Sequence, residues 1–398
     1  MNNEQRLRLV ADDKIPFLKG VLETFADVTY LPGTKITAED VKNADAIFTR
    51  TRTVCDASLL KNSRVKLIAT ATIGYDHIDT AYCDAAGIRW VNAPGCNSSS
   101  VQQYITTVIA TLVYERKLKL SELTLGIIGV GHVGSKVEQA AQALGMRVLL
   151  NDPPRADREG PEAFTSLERL LPESDIITLH TPLTKEAPYP TWHLASVDFF
   201  DKMKNGAVFI NTSRGAVTDS QALKDAAVTQ IHASQVNAQF TIQKNRLSCY
   251  VLDVWEGEPH PDVDLLARSF IGTPHIAGYS SDGKANGTAV CVREFSSFFG
   301  ITALRDWRPA TIPPPPMPTV FTLDGIGKSH EQLIYEAVTY AYPVWDDNNR
   351  LKNAPASFEE QRGGYWVRRE FNNFTIKPLN IPAETLASLR MIGFNIVL

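Results

Sequence analysis

The segment 124–152 constrains the fold more than any other stretch, because it holds three glycines in G-x-G-x-x-G spacing. A short apolar run, Leu125–Ile128, precedes them and has the length and composition of a buried strand. Helix-forming residues, Lys136–Leu144, follow, and Gly145 is a natural stop after them. A second apolar run then leads to Asp152. Strand, glycine turn, helix, strand and acid in this order predict a dinucleotide-binding unit.

Each feature of such a unit has a physical purpose that this segment can serve. Gly129 permits a tight turn, Gly131 lets the backbone approach a pyrophosphate, and Gly134 lets the helix pack closely on the strand. The helix N-terminus attracts the pyrophosphate through its free N–H groups and its dipole. Asp152 can accept hydrogen bonds from the adenosine ribose, and its charge repels a 2′-phosphate. The segment therefore predicts NAD rather than NADP, and a glycine turn without a ligand is the alternative.

The composition is that of an ordinary globular protein. The 398 residues suffice for two or three domains, 44% of them are apolar, and the net charge of −4 gives no bias toward nucleic acid or anionic membrane. Five cysteines without C-x-x-C spacing predict neither a disulfide framework nor a zinc site. The N-terminus has no apolar signal core, and no run of about 18 apolar residues occurs. We therefore expect a cytoplasmic protein with no metal and a small-molecule substrate.

Strand-like and helix-like runs alternate before the glycine motif is reached. The predicted strands there are Leu7–Ala11, Val28–Leu31 and Ala46–Thr49, and the predicted helices are Ile15–Ala26 and Thr37–Val41. This alternation predicts a parallel sheet, and hence a separate domain. The fold class is therefore α/β, with two doubly wound parallel-sheet domains. We expect a flavodoxin-like substrate domain formed by 1–100 with 284–310, and a Rossmann NAD domain formed by 101–283.

Prolines at 313–316 and 318 mark a change of character near the C-terminus. They predict a stiff, extended linker, and a proline-rich recognition ligand is the alternative. The residues beyond combine a helix at His330–Tyr342 with an Arg-rich aromatic stretch and a final helix and strand. We therefore predict a small α+β domain over 311–398. Because it has no chemical motif of its own, we expect it to form an interface.

Two polar segments in the first domain follow predicted strands. Arg50 and Thr51 come after the strand that ends at Thr49, and Thr72 comes after the apolar run Leu67–Ala69. Ligands of open α/β sheets bind beyond the carboxyl ends of the strands, so these residues are candidates for holding a phosphate or a carboxylate. The alternative, which the spacing leaves equally open, is that they cap helices and pair with surface acids.

Three residues of the glycine-motif domain also follow successive strands. Arg214, Glu258 and His275 each lie just past a predicted strand, and the ends of these strands share one edge of a parallel sheet. An arginine can bind a carboxylate bidentately, and a histidine can take a hydroxyl proton while an acid holds its ring. The three together predict hydride transfer from a 2-hydroxy acid. Structural ion pairs are the alternative for each residue alone.

Two other histidines are weaker candidates. His77 lies between Asp76 and Asp79, which suggest a helix start at which a histidine is merely a polar surface residue. His193 has no obvious partner in the sequence, so we expect a structural histidine there.

Several motifs together resemble the D-2-hydroxyacid dehydrogenase family. The segments that carry the resemblance are Gly129–Gly134, Thr212–Gly215, Leu252–Pro259 and Thr273–Tyr279. Further matches narrow it to one member, which oxidises 4-phospho-D-erythronate. They are Arg50–Thr51, Thr70–His77, Asn92–Asn97, Asn151–Ala156, His180–Leu183 and Val251–Pro259. The resemblance covers nearly the whole chain, the proline linker and the C-terminal domain included.

The resemblance implies roles for particular residues. Arg214, Glu258 and His275 would be catalytic, and Arg50, Thr51, Thr72 and Tyr279 would contact the substrate. The NAD site would include Asp152, Thr181, Thr212, Ser213, Asp253 and Gly278 beside the three glycines. The reaction would give 2-oxo-3-hydroxy-4-phosphobutanoate and NADH, early in the synthesis of pyridoxal 5′-phosphate. The C-terminal domain would make a homodimer.

One segment departs from the family pattern. Between Leu223 and Asp253 the chain is about 15 residues longer than the family leads us to expect, and the extra residues lie within Ala226–Ser248. They are polar, so we predict a surface loop or an extended helix before the strand that leads to Asp253 and Glu258. Two other functions remain open: a sister enzyme acting on 3-phosphoglycerate, glyoxylate or hydroxypyruvate, and an NAD-sensing protein of the corepressor type without catalysis.

Overall fold

The computed structural model describes residues 6–186, 188–227 and 247–397. The chain forms two compact units, one of residues 1–98 and 279–314 and the other of residues 99–278 and 315–398. Each contains a doubly wound sheet of parallel strands, which confirms the predicted fold class. Residues 315–398 thus share a unit with the glycine-motif domain, and their assignment to dimerisation stays a prediction.

The strands and helices follow one another in the alternation expected of an α/β chain. The strands are β1 (Leu7–Asp12), β2 (Ala26–Leu31), β3 (Ala46–Thr49), β4 (Leu67–Thr70), β5 (Arg89–Val91), β6 (Thr124–Ile128), β7 (Arg147–Asn151), β8 (Ile176–Leu179), β9 (Val208–Asn211), β10 (Cys249–Leu252), β11 (Ile271–Gly272), β12 (Val320–Asp324), β13 (Thr375–Leu379) and β14 (Asn395–Ile396). The helices are α1 (Ala38–Val41), α2 (Ala57–Leu60), α3 (Thr80–Ala85), α4 (Ser98–Arg116), α5 (His132–Ala143), α6 (Pro153–Glu159), α7 (Leu167–Glu173), α8 (Val197–Lys202), α9 (Ser220–Ala226), α10 (Val263–Arg268), α11 (Ser281–Phe299), α12 (His330–Ala341), α13 (Val344–Asn353), α14 (Phe358–Gly363) and α15 (Ala383–Met391).

The first unit is built on a five-stranded parallel sheet of order β2-β1-β3-β4-β5, the flavodoxin-like order. Its central strands are buried on both faces because alternate residues enter two different cores. Ala46 and Phe48 of β3 belong to one hydrophobic cluster, whereas Ile47 belongs to another. Strands covered on both faces read as continuous apolar runs, and this is why they were predictable from the sequence.

The helix predicted at Ile15–Ala26 is wrong. The segment forms a series of turns, in which Phe17 and Gly20 have φ values of 62° and 84°. A right-handed helix cannot include such residues. Leu18 and Leu22 are nevertheless buried in the core of the first unit, so the helical spacing of apolar residues reflects burial alone.

The second unit contains a six-stranded parallel sheet of order β11-β10-β9-β8-β6-β7. The chain enters at β6, adds β7 on one side and then continues from β8 to β11 on the other. The strand order therefore reverses beside β6, and such a switch point is where doubly wound sheets bind ligands. The loops that follow β6, β8, β9, β10 and β11 all leave the sheet at its carboxyl edge.

The C-terminal residues of the second unit form a further sheet of order β12-β13-β14, also parallel. Helix α13 lies against β11, the last strand of the six-stranded sheet. The Asn348 side-chain oxygen accepts a hydrogen bond from the Gly272 N–H at 2.9 Å, and Lys352 donates to the Ser269 carbonyl at 2.5 Å. These contacts pair a backbone N–H of β11 and the carbonyl at the end of α10 with side chains of α13.

Most of the longer segment predicted at Ala226–Ser248 lies outside the described residues. Ala227 and Leu247 border the gap and pair as an isolated parallel bridge. Strand β10, directly after it, pairs residue by residue with β9 over its full length. The strand that delivers Asp253 and Glu258 is therefore intact.

Across residues 6–186, 188–227 and 247–397, no helix has the length and apolar character needed to cross a membrane. In the same described ranges, no group of three or more His, Cys, Asp and Glu side chains could hold a metal ion.

Candidate active site

The glycine motif forms the loop between β6 and α5. The helix begins at His132, earlier than the predicted Lys136, with Gly131 as its N-cap. Gly129 has φ 87°, and a Cβ there would lie 2.7 Å from the His180 carbonyl oxygen. A Cβ on Gly134 would overlap the Gly129 carbonyl, whereas one on Gly131 would meet no protein atom within 4 Å. Packing within the chain therefore requires two of the glycines, and Gly131 keeps the surface open for a ligand's close approach.

Asp152 follows β7 and holds the glycine loop in place. Its carboxylate accepts hydrogen bonds from the Val130 N–H at 2.8 Å and from the Arg155 N–H at 3.0 Å, and it caps α6. Arg155 in turn donates to the Val130 carbonyl at 2.6 Å. Both polar groups of the Val130 backbone are thus fixed by the segment after β7. A carboxylate accepts about four hydrogen bonds, so capacity for ribose hydroxyls remains.

Thr181, after β8, has a buried hydroxyl that forms no hydrogen bond in the described part of the chain. A buried polar atom without a partner calls for an explanation. The Thr181 backbone nitrogen would lie 2.9 Å from a Cβ on Gly129, so the hydroxyl belongs to a residue that borders the glycine loop. An orphaned hydroxyl beside an open glycine loop at the switch point fits a bound dinucleotide.

His180 was not predicted to matter beyond the motif that contains it. Its ring nitrogens lie 3.1 Å from the Thr178 hydroxyl and 3.4 Å from the Thr212 hydroxyl. Burial lowers the pKa of His180 to about 3, so the ring is neutral at physiological pH. A neutral ring between two threonines joins the ends of β8 and β9 without adding charge to the cofactor site.

Arg214 lies in a turn after β9 that one asparagine organises. The Asn211 side chain accepts from the Ser213 N–H at 2.9 Å and donates to the Arg214 carbonyl at 2.9 Å. Arg214 itself donates from Nη1 to the Ser213 carbonyl. A Cβ on Gly215 would overlap the Trp255 backbone, so this turn packs directly against the loop after β10. Sequence reasoning missed Asn211, although an asparagine at a strand end followed by Thr-Ser-Arg-Gly is a turn signal.

Glu258 and His275 form a carboxylate–imidazole pair across adjacent loops. His275 Nδ1 lies 2.8 Å from Glu258 Oε2, and Glu258 Oε1 accepts from the Trp255 N–H at 2.9 Å. Burial opposes ionisation of the carboxyl, but the hydrogen bond and attraction of His275 outweigh it and lower the pKa of Glu258. An ionised partner places the proton on Nδ1, which leaves Nε2 with a lone pair for a substrate proton.

Asp253 shapes the segment that carries His275. It is only 1% exposed, and its carboxylate accepts hydrogen bonds from the Thr273 hydroxyl and from the N–H groups of Ile276 and Ala277 at 2.6 to 2.9 Å. His275 adopts a left-handed backbone with φ 56°, and its N–H donates to the Asp253 carbonyl at 2.7 Å. The predicted cofactor contact of Asp253 stays a prediction, as does that of the half-buried Gly278 nearby.

The substrate candidates of the first unit lie at the ends of β3 and β4. The Thr70 hydroxyl donates to the Arg50 carbonyl at 3.2 Å and lies 2.7 Å from the Thr72 hydroxyl, which donates to the Gly74 carbonyl. The structure thus brings the backbone of Arg50 together with Thr72. Thr51 is exposed, and Tyr279, ahead of α11, has the Lys284 ammonium 4.8 Å from its ring centroid.

The two weaker histidines take different positions. Asp79 caps α3, as the sequence suggested, but the prediction of a surface position for His77 is wrong, because its Nε2 is buried and burial lowers its pKa. His193 has a partner that the sequence did not reveal, because its Nε2 lies 2.7 Å from Glu256 Oε1. Its ring also stacks on Trp192 with centroids 3.9 Å apart.

The carboxylate–imidazole pair and the arginine turn follow strands of the sheet that carries the glycine loop, and this arrangement suits a dehydrogenase that moves a hydride between a nicotinamide cofactor and a hydroxy acid. Residues 109–277 match the family model described as D-isomer specific 2-hydroxyacid dehydrogenase, NAD binding domain. A protein of Bacteroides fragilis named erythronate-4-phosphate dehydrogenase is 46% identical over 93% of this chain and 99% of its own length. One of Escherichia coli with the same name is 36% identical over 98% and 99%. The chain therefore belongs to the erythronate-4-phosphate dehydrogenases within the D-2-hydroxyacid dehydrogenase family, and its cofactor is NAD.

Solved structures agree on the fold. D-Lactate dehydrogenase of Aquifex aeolicus, complexed with NAD and lactic acid, is 28% identical and superposes with a TM-score of 0.59. The TT0316 protein of Thermus thermophilus is 27% identical, with a TM-score of 0.60. They cover 75% and 74% of this chain, and 97% of their own.

Proposed function

We propose that this protein oxidises 4-phospho-D-erythronate at C2 to 2-oxo-3-hydroxy-4-phosphobutanoate, a step in the formation of pyridoxal 5′-phosphate. The observation that carries the chemistry is the pair of Glu258 and His275, 2.8 Å apart on loops that follow adjacent strands. The substrate is supported by two relatives of the same name, which match this chain at 46% and 36% identity over almost its whole length.

The proposed mechanism gives each side chain one task. Arg214 binds the substrate carboxylate through its planar guanidinium and polarises the C2 oxygen. His275 accepts the C2 hydroxyl proton at Nε2, while Glu258 holds Nδ1–H and stabilises the imidazolium that forms. NAD, when bound, supplies the acceptor for the hydride that leaves C2. The alcohol thus loses one hydride and one proton and becomes a ketone.

Other side chains bind and orient the reactants in this proposal. The glycine loop, Asp152, Thr181, Thr212, Ser213, Asp253 and Gly278 would hold NAD. The phosphorylated substrate would contact residues that follow β3 and β4, and also Tyr279. The residues after the two strands are Arg50, Thr51 and Thr72. These assignments are supported by the positions of the residues, because ligands contact the strand ends of a parallel sheet and guanidinium groups bind phosphate well.

The test is a substrate panel. NADH formation is measured with 4-phospho-D-erythronate, 3-phosphoglycerate, D-glycerate and D-lactate, and hydroxypyruvate and glyoxylate are offered with NADH in the reverse direction. We expect phosphoerythronate to give the highest kcat/KM. Turnover of 3-phosphoglycerate or reduction of hydroxypyruvate without turnover of phosphoerythronate would assign a sister activity instead.

Two matched variants test the catalytic pair. His275→Asn should lower kcat by roughly 10²–10⁴ while NADH still binds, because the general base is lost and the fold is kept. His193→Asn alters a second histidine–glutamate pair in the described part of the same unit and should keep kcat within about threefold. Equal losses in both variants would reject the assigned role, and NADH binding without turnover of any acid by the unmodified protein would favour an NAD sensor.

Two further proposals concern assembly and compartment. The C-terminal region carries exposed apolar side chains, which support a homodimer formed through it: Val320, Ile326, Leu379, Met391 and Val397. Light scattering after size exclusion measures the mass directly. All five cysteines are free thiols, which supports a cytoplasmic protein.

A further inference from the structure

An arginine from the C-terminal region contacts the segment that carries His275. Arg368, between α14 and β13, is 0% exposed. Its Nη2 donates to the Ala277 carbonyl at 2.5 Å and to the Ser100 hydroxyl, and Ser100 donates to the same carbonyl at 2.8 Å. Two donors thus converge on one carbonyl oxygen, two residues after His275.

The same segment is held from its other side by Asp253. That carboxylate accepts from the N–H groups of Ile276 and Ala277. An anion therefore fixes the N–H of Ala277, and a cation fixes its carbonyl. His275, at φ 56°, has a conformation that is strained for a non-glycine residue and persists only where the surroundings enforce it. The Asp253 carbonyl accepts a hydrogen bond from the His275 N–H, and Arg368 donates to the carbonyl two residues after His275.

Burying the Arg368 guanidinium costs free energy, and other buried polar groups surround it. Asp347, 2% exposed, accepts from the hydroxyls of Tyr342 at 3.0 Å and Tyr365 at 2.6 Å. The Arg368 guanidinium lies over the rings of both tyrosines, 4.5 and 5.7 Å from their centroids. Such a buried ionic group often adds no net stability compared with apolar side chains of similar volume. Its distinctive ability is directional donation to a backbone carbonyl beside the active site.

We propose that Arg368 is a positioning residue, which holds the Ala277 carbonyl and thereby keeps His275 in the orientation that receives the substrate proton. The C-terminal region then contributes to catalysis within its own chain, through the backbone and without touching the substrate. This inference rests on the proposed role of His275. Arg362 of α14 adds a second cation from the same region, and its charge helps to lower the pKa of Glu258.

The decisive experiment is a double-mutant cycle. Arg368→Lys is made in the unmodified protein and in His275→Ala, and kcat, KM and NADH affinity are measured. A lysine keeps the charge but cannot reproduce the guanidinium fork. We expect kcat to fall about tenfold in the unmodified background, with NADH affinity unchanged, and to fall less than about twofold in His275→Ala. Equal losses in both backgrounds, or no loss in either, would overturn the proposal.

Two companion variants separate positioning from general stability. Ser100→Ala removes the second donor to the Ala277 carbonyl and keeps the buried charges, so it decides the question if Arg368→Lys does not fold. It should lower kcat in the same direction, and only while His275 is present. Arg350→Lys is the matched control, because Arg350 belongs to the same region and pairs with Asp347 at 3.2 Å from a side chain 47% exposed. We expect it to leave kcat unchanged.

A third readout does not depend on turnover. In protein with ¹³C-labelled histidine, the His275 ring resonance is assigned by its absence in His275→Ala. Arg368→Lys and Ser100→Ala should shift this resonance and leave that of His193 in place. An unchanged His275 resonance in these variants would refute the positioning role of Arg368. If the unmodified protein oxidises no hydroxy acid, the proposed function fails, while this spectrum still decides the role of Arg368.

Discussion

At the scale of single residues, two histidine–glutamate pairs depend on one loop. Glu256 contacts His193 and Glu258 contacts His275, and both histidines have a left-handed backbone. Their surroundings differ, because the His193 ring stacks on Trp192 whereas His275 lies in the loop that follows β11. We therefore expect position at the strand ends, and not the pair itself, to decide which histidine takes part in catalysis.

His180 gives a prediction for the dependence of stability on pH. Its folded pKa of about 3 lies below the reference value of 6.5, so the unfolded chain takes up this proton first as the pH falls. Its contribution to stability is complete above pH 6.5 and is lost progressively between pH 6.5 and 3, by up to about 1.4 kcal/mol per pH unit. Thermal unfolding of the unmodified protein and of His180→Gln is compared between pH 7.5 and 5.

Both proteins carry the same carboxylates, so the comparison removes the effect of carboxylate titration on stability. The unmodified protein should lose more stability than His180→Gln over this interval, because only it carries the suppressed ring. Parallel loss in the two proteins would show that His180 is protonated in the fold.

At the scale of elements, two alanine substitutions separate the packing role of the loop between β6 and α5 from its role in binding the cofactor. Gly134→Ala should destabilise the protein by about 1–3 kcal/mol, because its Cβ overlaps the Gly129 carbonyl. Gly131→Ala meets no protein atom, so the melting temperature should change little while NADH affinity falls at least about tenfold, since the methyl group occupies the path of the pyrophosphate. Melting curves and NADH fluorescence titrations measure both quantities. If Gly131→Ala bound NADH as tightly as the unmodified protein, the pyrophosphate would not bind at this loop.

The elements also show what the sequence can and cannot predict. Strands β3, β6 and β9 were predictable because fully buried strands are short apolar runs, and the glycine spacing determined the loop before α5. The segment Ile15–Ala26 was mispredicted because buried leucines at helical spacing also suit turns.

Contacts between distant segments were beyond prediction for a different reason. Arg368 and Ala277 lie 91 residues apart in sequence, and Glu256 and His193 lie 63 apart. Nothing local in the chain marks such pairs, because their proximity depends on how whole elements pack. Asp253 was predicted from resemblance as a cofactor contact, and its three hydrogen bonds to the His275 segment could be seen only in three dimensions.

At the scale of the whole molecule, the C-terminal region and the NAD-binding sheet share one core. Leu351 of α13 and Phe358 of α14 are 0% exposed and belong to the same hydrophobic cluster as Leu252, Trp255 and Leu265. Leu252 precedes Asp253, Trp255 lies two residues after it, and Asp253 accepts hydrogen bonds from the segment that carries His275. We expect this shared core to make the two regions unfold as one cooperative unit, so that the linker before β12 does not make the C-terminal region independent.

This shared core gives a prediction for cooperative unfolding. Leu351→Ala should cost about 2–5 kcal/mol, because it leaves a cavity in a core that closes over the NAD-binding sheet. Val197→Ala, at a side chain 56% exposed and outside the proposed dimer surface, is the control and should change little. Calorimetry with and without NADH should show the second unit melting in one transition that Leu351→Ala lowers and NADH raises, because NADH binds only the folded form. If Leu351→Ala shifted a separate transition that NADH does not move, the C-terminal region would fold on its own, and its hold on the His275 segment would be lost without loss of the NAD site.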